Sequence, residues 1–170
     1  MTSQIEHRPF NGVRTEVVTP VGFDAVLARL RGLMGSASLA EIVALAQKPT
    51  PEAEFARIVQ ERFEGESGFM LFAEVDHGGW LSKYGIDRRT VRWILGNPLI
   101  AVTMIRHDIT AGLFAPVEIL VTEAKDHQGA TVTYLRPSSL MVIEENPPLL
   151  AAATLLDAKL DALIARATEA

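Results

Sequence analysis

The sequence predicts an α+β fold, in which a curved antiparallel sheet has helices packed on one face and ends in a β-hairpin and a C-terminal helix. Three observations predict it. Segments that alternate apolar and polar residues are interspersed with segments whose apolar residues recur every three or four positions, which are the periods of strands and helices. The two kinds of segment do not alternate regularly, which disfavours a doubly wound parallel sheet. The last two strand segments, 116–123 and 130–136, are joined by a short connection containing Gly129, as in a hairpin.

The N-terminal part is predicted to contain a flexible tail, a strand and a helix. Residues 1–12 are polar and end in the turn dipeptide Asn11-Gly12, which indicates a tail. Residues 13–19 alternate as a strand does, and Pro20 opens a helix. The apolar residues of this helix form one stripe of Phe23, Val26, Leu27, Leu30 and Met34.

Two further helices are predicted within residues 38–63. Ser38 and Glu41 have the spacing of a capping box, in which each side chain bonds to the other residue's backbone amide. Pro51 marks the second helix start, because proline loses nothing at the first helical position.

Two strands separated by a short helix are predicted next. Residues 69–75 are apolar on both faces, so we expect this strand to be central in the sheet. Residues 90–95 place Val91, Trp93 and Leu95 on one face.

The sequence Gly96-Asn97-Pro98 predicts another helix, with Asn97 as its N-cap and Pro98 as its first residue. A strand is the alternative there, because β-branched residues follow. The last helix begins at Asn146-Pro147, and its core stripe is Leu149, Ala153, Leu156, Leu160 and Ile164. No linker or repeat interrupts the chain, so we predict a single domain over residues 13–168.

Composition excludes several functional classes. The 170-residue chain has a formal net charge of -5, so the basic surface that nucleic acids require is missing and no nucleic-acid partner is expected. No apolar run approaches the ~20 residues of a membrane-spanning helix, and no membrane partner is expected. The chain has no cysteine and no apolar leader, and we expect a cytoplasmic protein without disulfides.

Four segments in a fixed order carry a family resemblance. They are Val75–Trp80, Trp93–Pro98, Leu113–Glu118 and Val132–Pro137. In this order they resemble the domain-of-unknown-function family 302, in which one strand ends in Asp-His and a second ends in a Gly-Asn-Pro turn that starts a helix. The similarity covers about residues 13–33 and 68–164.

This resemblance implies a TATA-binding-protein-like α+β fold, a curved antiparallel sheet with helices packed against it, and a homodimer. The resemblance also implies that residues 36–66 are a helical insertion relative to the shorter members of that family. The family brings no agreed activity. Glu118 stands where the family often has a basic residue, and Arg136-Pro137 replaces an Asn-Asp-Pro turn. The resemblance therefore brings no anion site to position 118.

His77 is the candidate catalytic residue, with Asp76 beside it at a predicted strand end. A carboxylate near an imidazole can fix its tautomer and raise its basicity. Adjacent strand residues point to opposite faces, however, so the alternative is that Asp76 caps the following turn and His77 is structural.

The candidate ligand-binding residues are polar or aromatic side chains near the middle strands. They are Trp80, Tyr84, Trp93, Asn97 and Tyr134. Aromatic side chains would line a pocket for a small apolar or amphipathic ligand, and the alternative is that they are ordinary core. No histidine spacing indicates a metal site, and no glycine-rich motif indicates a nucleotide, so no metal or cofactor is expected.

These observations leave three functional hypotheses. The first is a ligand-binding or regulatory domain that forms a homodimer. The second is an enzyme with His77 as general base and Asp76 or Tyr134 assisting, since histidine is suited to that role. The third is a structural subunit whose helices within 38–63 form a contact surface.

Overall fold

The computed structural model describes residues 2–170, so Met1 of the predicted tail lies outside it. Residues 2–13 form no helix or strand. The strands are β1 (Arg14–Thr19), β2 (Gly35–Ser36), β3 (Met70–Asp76), β4 (Thr90–Gly96), β5 (Val117–Glu123) and β6 (Ala130–Leu135). The helices are α1 (Phe23–Leu33), α2 (Leu39–Ala46), α3 (Glu52–Arg62), α4 (Gly78–Leu81), α5 (Pro98–Ile105), α6 (Pro137–Met141) and α7 (Pro147–Thr168). Two short 3-10 helices are Ser82–Tyr84 and Ile109–Phe114.

The strands form one sheet in the order β1-β6-β5-β4-β3-β2. The five long strands are antiparallel, and only the two-residue β2 pairs in parallel, with Met70 and Leu71 of β3. The predicted α+β class, terminal hairpin and C-terminal helix are confirmed.

The prediction that residues 69–75 form a central strand is wrong, because β3 lies next to the edge of the sheet. The short β2 leaves the second half of β3 without a neighbour on that side, and Glu74 to Asp76 are exposed. The strand is apolar on both faces because helices cover both faces of its first half. Phe69, just ahead of β3, belongs to the main core, whereas the next residue, Met70, packs in a second cluster.

One face of the sheet, called the helical face below, is sealed by α1 and α7. Val91, Trp93 and Leu95 of β4 all point to this face and are buried, as the alternation predicts. The five core residues predicted for α7 are likewise buried, and so are four of the five predicted for α1, with Leu27 partly buried.

The other face of the sheet, called the open face below, is covered by α2 and α3 at its β3 end. There α2 and α3 form a small cluster with Met70, in which Leu45, Val59 and Phe63 are buried. The capping box predicted at the start of α2 is present: the Ser38 hydroxyl accepts from the Glu41 amide, and the Glu41 carboxylate accepts from the Ser38 amide at 2.8 Å. The rest of the open face is not covered by α2 or α3.

The segment after Gly96 is a helix and not a strand. Asn97 is buried and caps α5 by accepting a 2.8 Å hydrogen bond from the Leu99 amide. The Asn97 amide also donates to the carbonyl of Gly68 at 2.9 Å, which ties the end of β4 to the start of β3. One side chain thus fixes both the helix start and the strand end.

A salt-bridge cluster joins α1 to the ends of β4 and β5. Arg89 donates to Glu123 at 2.7 Å and to Asp24 at 2.8 Å, and its guanidinium lies 4.6 Å from the ring centre of Phe23. Hydrogen bonds from Arg89 and His127 lower the pKa of the nearly buried Glu123 to about 2.

No helix within residues 2–170 has both the length and the apolar character needed to cross a membrane.

Replacing Asn97 by Ala is expected to lower the free energy of unfolding by about 2–3 kcal/mol, because the cap is lost and the Gly68 carbonyl loses its partner. The matched variant is Asn146→Ala at the more exposed N-cap of α7, where a loss of about 1 kcal/mol is expected. Urea unfolding measures both. Equal losses at the two caps would contradict the double role of Asn97.

The Glu123 carboxylate is expected to make stability depend on acid pH. Its pKa is lower in the folded chain, so its stabilisation is complete above pH about 4.5 and is lost as the pH falls toward about 2. Glu123→Gln should remove this part of the pH dependence of Tm, while the exposed Glu52→Gln should keep it. An unchanged acid limb in Glu123→Gln would refute the assignment.

Candidate functional site

The uncovered part of the open face forms a groove of about 720 Å³. Its floor is built from alternate residues of β4, β5 and β6 that point away from the helices. They are Arg92, Glu118, Leu120, Thr133 and Leu135. Because the other residues of the same strands fill the core, the groove and the core are two sides of one sheet.

The walls of the groove come from segments that connect the strands. Trp80 and Leu81 of α4 line one part, and Leu113 and Phe114 of the second 3-10 helix line another, together with Leu140 of α6. These walls are apolar, and with the floor they give the groove a mainly apolar surface with a few polar groups. This is the usual character of a small-molecule site.

His77 lies at the rim of the groove, at the N-terminus of α4. Its backbone amide donates to Thr90 at 2.9 Å, which continues the pairing of β3 with β4. Its imidazole lies edge to face with Trp80, with 5.8 Å between ring centres. Nδ1 is shielded from solvent and has no hydrogen-bond partner within residues 2–170.

Asp76 does not contact the imidazole of His77 through a hydrogen bond. Its carboxylate instead accepts from the Gly79 amide at 3.0 Å and caps the turn that starts α4. This arrangement matches the alternative given for Asp76 above, in which its carboxylate caps the following turn. The two candidate catalytic residues are therefore neighbours in sequence without forming an acid–base pair.

The polar part of the floor is an ion pair between neighbouring strands. Arg92 donates through Nε to Glu118 at 2.9 Å, and both side chains are a little under half exposed. Arg14, at the β1 side of the groove, pairs with Glu16, which is not part of the lining. Both arginines of the lining are therefore paired with a carboxylate.

Three of the predicted ligand-binding residues do not lie in the groove. Trp93 is fully buried on the helical face, where the Arg31 guanidinium lies 4.9 Å from its ring centre. Asn97 is the buried cap of α5. Tyr84 is largely exposed and touches the site only through the edge-to-face contact of its ring with Trp80, at 6.3 Å between ring centres.

Tyr134 borders the groove, but its hydroxyl is not available to His77. The hydroxyl donates to Asp161 of α7, and Asp161 also accepts from Arg136 at 2.6 Å. Burial and the hydrogen bond to Asp161 raise the pKa of Tyr134 to about 12. Of the predicted site residues, the groove thus brings together His77 and Trp80, with Tyr134 at its border.

Sequence reasoning missed most of the floor. Arg92, Leu120 and Leu135 alternate with core residues, so strand alternation is the signal that could have placed them on the other side. Strand alternation does not predict that this face forms a groove, because the walls of the groove come from short segments that connect the strands. Among residues 2–170, no three His, Asp or Glu side chains are close enough to hold a metal ion.

Comparisons with known proteins agree on a family. The model of a family described as "Domain of unknown function DUF302" matches residues 46–167, a range that includes α3. The crystal structure of an uncharacterized conserved protein DUF302 from Bacillus stearothermophilus is similar, with a TM-score of 0.62 and 17% sequence identity. The similarity covers 91% of this chain and 97% of that chain, and at this identity it shows the fold alone. No curated protein matches the chain.

An alkaline titration followed by ultraviolet absorbance is expected to detect the unusual phenol. The chain has two tyrosines, and the transition of Tyr134 should have its midpoint near pH 12, because Asp161 and burial disfavour the phenolate. Tyr134→Phe should remove that transition, whereas Tyr84→Phe should leave it. A variant at position 134 that keeps the high transition would contradict the assignment.

Proposed function

The chain belongs to the DUF302 family, whose description states no activity, and we propose that this member binds a small amphipathic molecule in the groove on the open face of its sheet. One observation carries the proposal. The groove of about 720 Å³ is within the usual range for ligand sites and combines apolar walls with a few polar side chains.

The polar groups of the groove support a ligand that is not purely apolar. The Arg92–Glu118 pair is partly exposed, and such pairs contribute little on their own, so a ligand can compete for either partner. The site therefore suits a molecule with an apolar body and a hydrogen-bonding end.

Binding is favoured over catalysis by what surrounds His77. A general base needs a group that orients it, and both candidates are engaged elsewhere: Asp76 with Gly79 and Tyr134 with Asp161. The hypothesis of a structural subunit has weaker support, which comes from the exposed Leu39 and Val43 of α2.

The homodimer implied by the family resemblance stays a prediction. The feature that supports it is β1, which within residues 2–170 pairs only with β6 and has a second, free edge. A free strand edge offers backbone groups to which a second copy can add a strand.

The variant Leu135→Glu tests the site. Its side chain is half exposed and lines the groove, and placing a carboxylate there should weaken binding of the fluorescent amphiphile anilinonaphthalene sulfonate about tenfold or more. The control is Val18→Glu, an exposed apolar residue on the same face of the sheet that is outside the lining. Fluorescence titration measures both. Equal effects of the two variants, or no saturable binding by the wild type, would contradict the proposal.

A further inference from the structure

A second, smaller cavity lies at the far end of the sheet from His77. This slot has a volume of about 190 Å³ and is lined by Ile42 of α2, Ala101 and Met104 of α5, and Leu156 of α7, together with other mostly apolar residues. Its lining contains no charged side chain, and Asn97 is its only residue with a polar side chain. The slot therefore suits a hydrocarbon group.

The slot and the groove adjoin each other at the start of β5, because Pro116 and Val117 line both. Gly96 lies beside this junction. A Cβ atom added there would lie 3.1 Å from the Phe72 ring and 3.2 Å from the Pro116 ring. The absence of a side chain at position 96 therefore lets Phe72 and Pro116, which both line the slot, pack closely against the end of β4.

The polar groups of the groove and the apolar slot are separated along β4. His77 is next to Thr90 at the start of β4, Arg92 follows on the same face, and Gly96 is the last residue of the strand. Four residue steps from Arg92 to Gly96 correspond to about 13 Å. A molecule that uses both ends must be long and narrow.

We propose that the ligand is a single-chain amphiphile with a carboxylate head, whose head lies at Arg92 and His77 and whose alkyl chain runs past Pro116 into the slot. This inference rests on the proposed function and specifies its ligand class. Both arginines of the lining are paired with a carboxylate, and the head is assigned to Arg92 because its pair with Glu118 lies on the groove floor and is partly exposed. A carboxylate can replace Glu118 as the acceptor of the Arg92 guanidinium, since the existing pair is accessible to solvent.

A series of saturated fatty acids tests the chain. Affinity for octanoate, decanoate and dodecanoate should rise about fourfold for every methylene added, which is the gain expected when each methylene becomes buried. Ala101→Phe places a ring in the slot and should abolish the rise while leaving octanoate binding within about twofold, the octanoate chain being too short to depend on the slot. The control is Ala151→Phe, at an exposed position of α7.

Isothermal titration calorimetry gives the affinities, and thermal unfolding shows whether each variant is folded. If Ala101→Phe does not fold, Ile42→Phe introduces a ring into the same slot from α2. A wild-type chain-length series without a rise, or a rise that survives the filling of the slot, would overturn the inference. If anilinonaphthalene sulfonate binds and no fatty acid does, the inference alone fails. If neither binds, the proposed function fails as well.

The head is tested by comparing dodecanoate with dodecanol. Arg92→Gln should lower the affinity for dodecanoate about tenfold and leave dodecanol nearly unchanged, because only the acid uses the charge. The matched control is Arg57→Gln, which removes an exposed arginine that pairs with Glu61 on α3 at 2.7 Å, away from the groove. Equal losses for acid and alcohol in Arg92→Gln would show that the head does not bind there.

Discussion

The packing of α7 on the helical face of the sheet is the constraint on which the rest of the molecule depends. The helix is 22 residues long, and its apolar stripe belongs to the same core as the buried residues of β4, β5 and β6. Strand residues alternate between the two faces of a sheet. When every second residue is buried under α7, the residues between them therefore point to the open face. The open face is therefore a direct product of how the core forms, and a site on it needs no separate scaffold.

The helices α2 and α3 limit the open face. They pack on Met70 at the β3 end, and α2 also forms part of the slot. The Asn97 cap holds the other side of the slot, because it fixes where β4 ends and where α5 begins. The slot is thus built by helices and strand ends, whereas the groove has Arg92 of β4 on its floor and His77 at its rim.

Much of the fold could be predicted from the sequence, because periodicity and helix-start signals are local. Spacing alone places Val91, Trp93 and Leu95 on one face and identifies Asn97 as a cap. The position of β3 in the sheet could not be predicted, since its apolar residues are explained equally well by neighbouring strands or by helices on both faces. The groove is harder to predict. The sequence indicates both Trp80 and Trp93 as pocket residues, because an aromatic residue in a strand gives no indication of which face of the sheet is covered. Arg92 and Glu118 form their pair only through the β4–β5 register, which no local pattern reveals.

The two tryptophans occupy opposite environments. Trp93 is fully enclosed beneath Arg31, while Trp80 is half exposed on the wall of the groove next to His77. Their intrinsic emission should therefore separate into a short-wavelength component from the interior and a long-wavelength component from the site. The enclosed indole serves as an internal reference, so occupancy of the groove can be followed optically in the unlabelled chain.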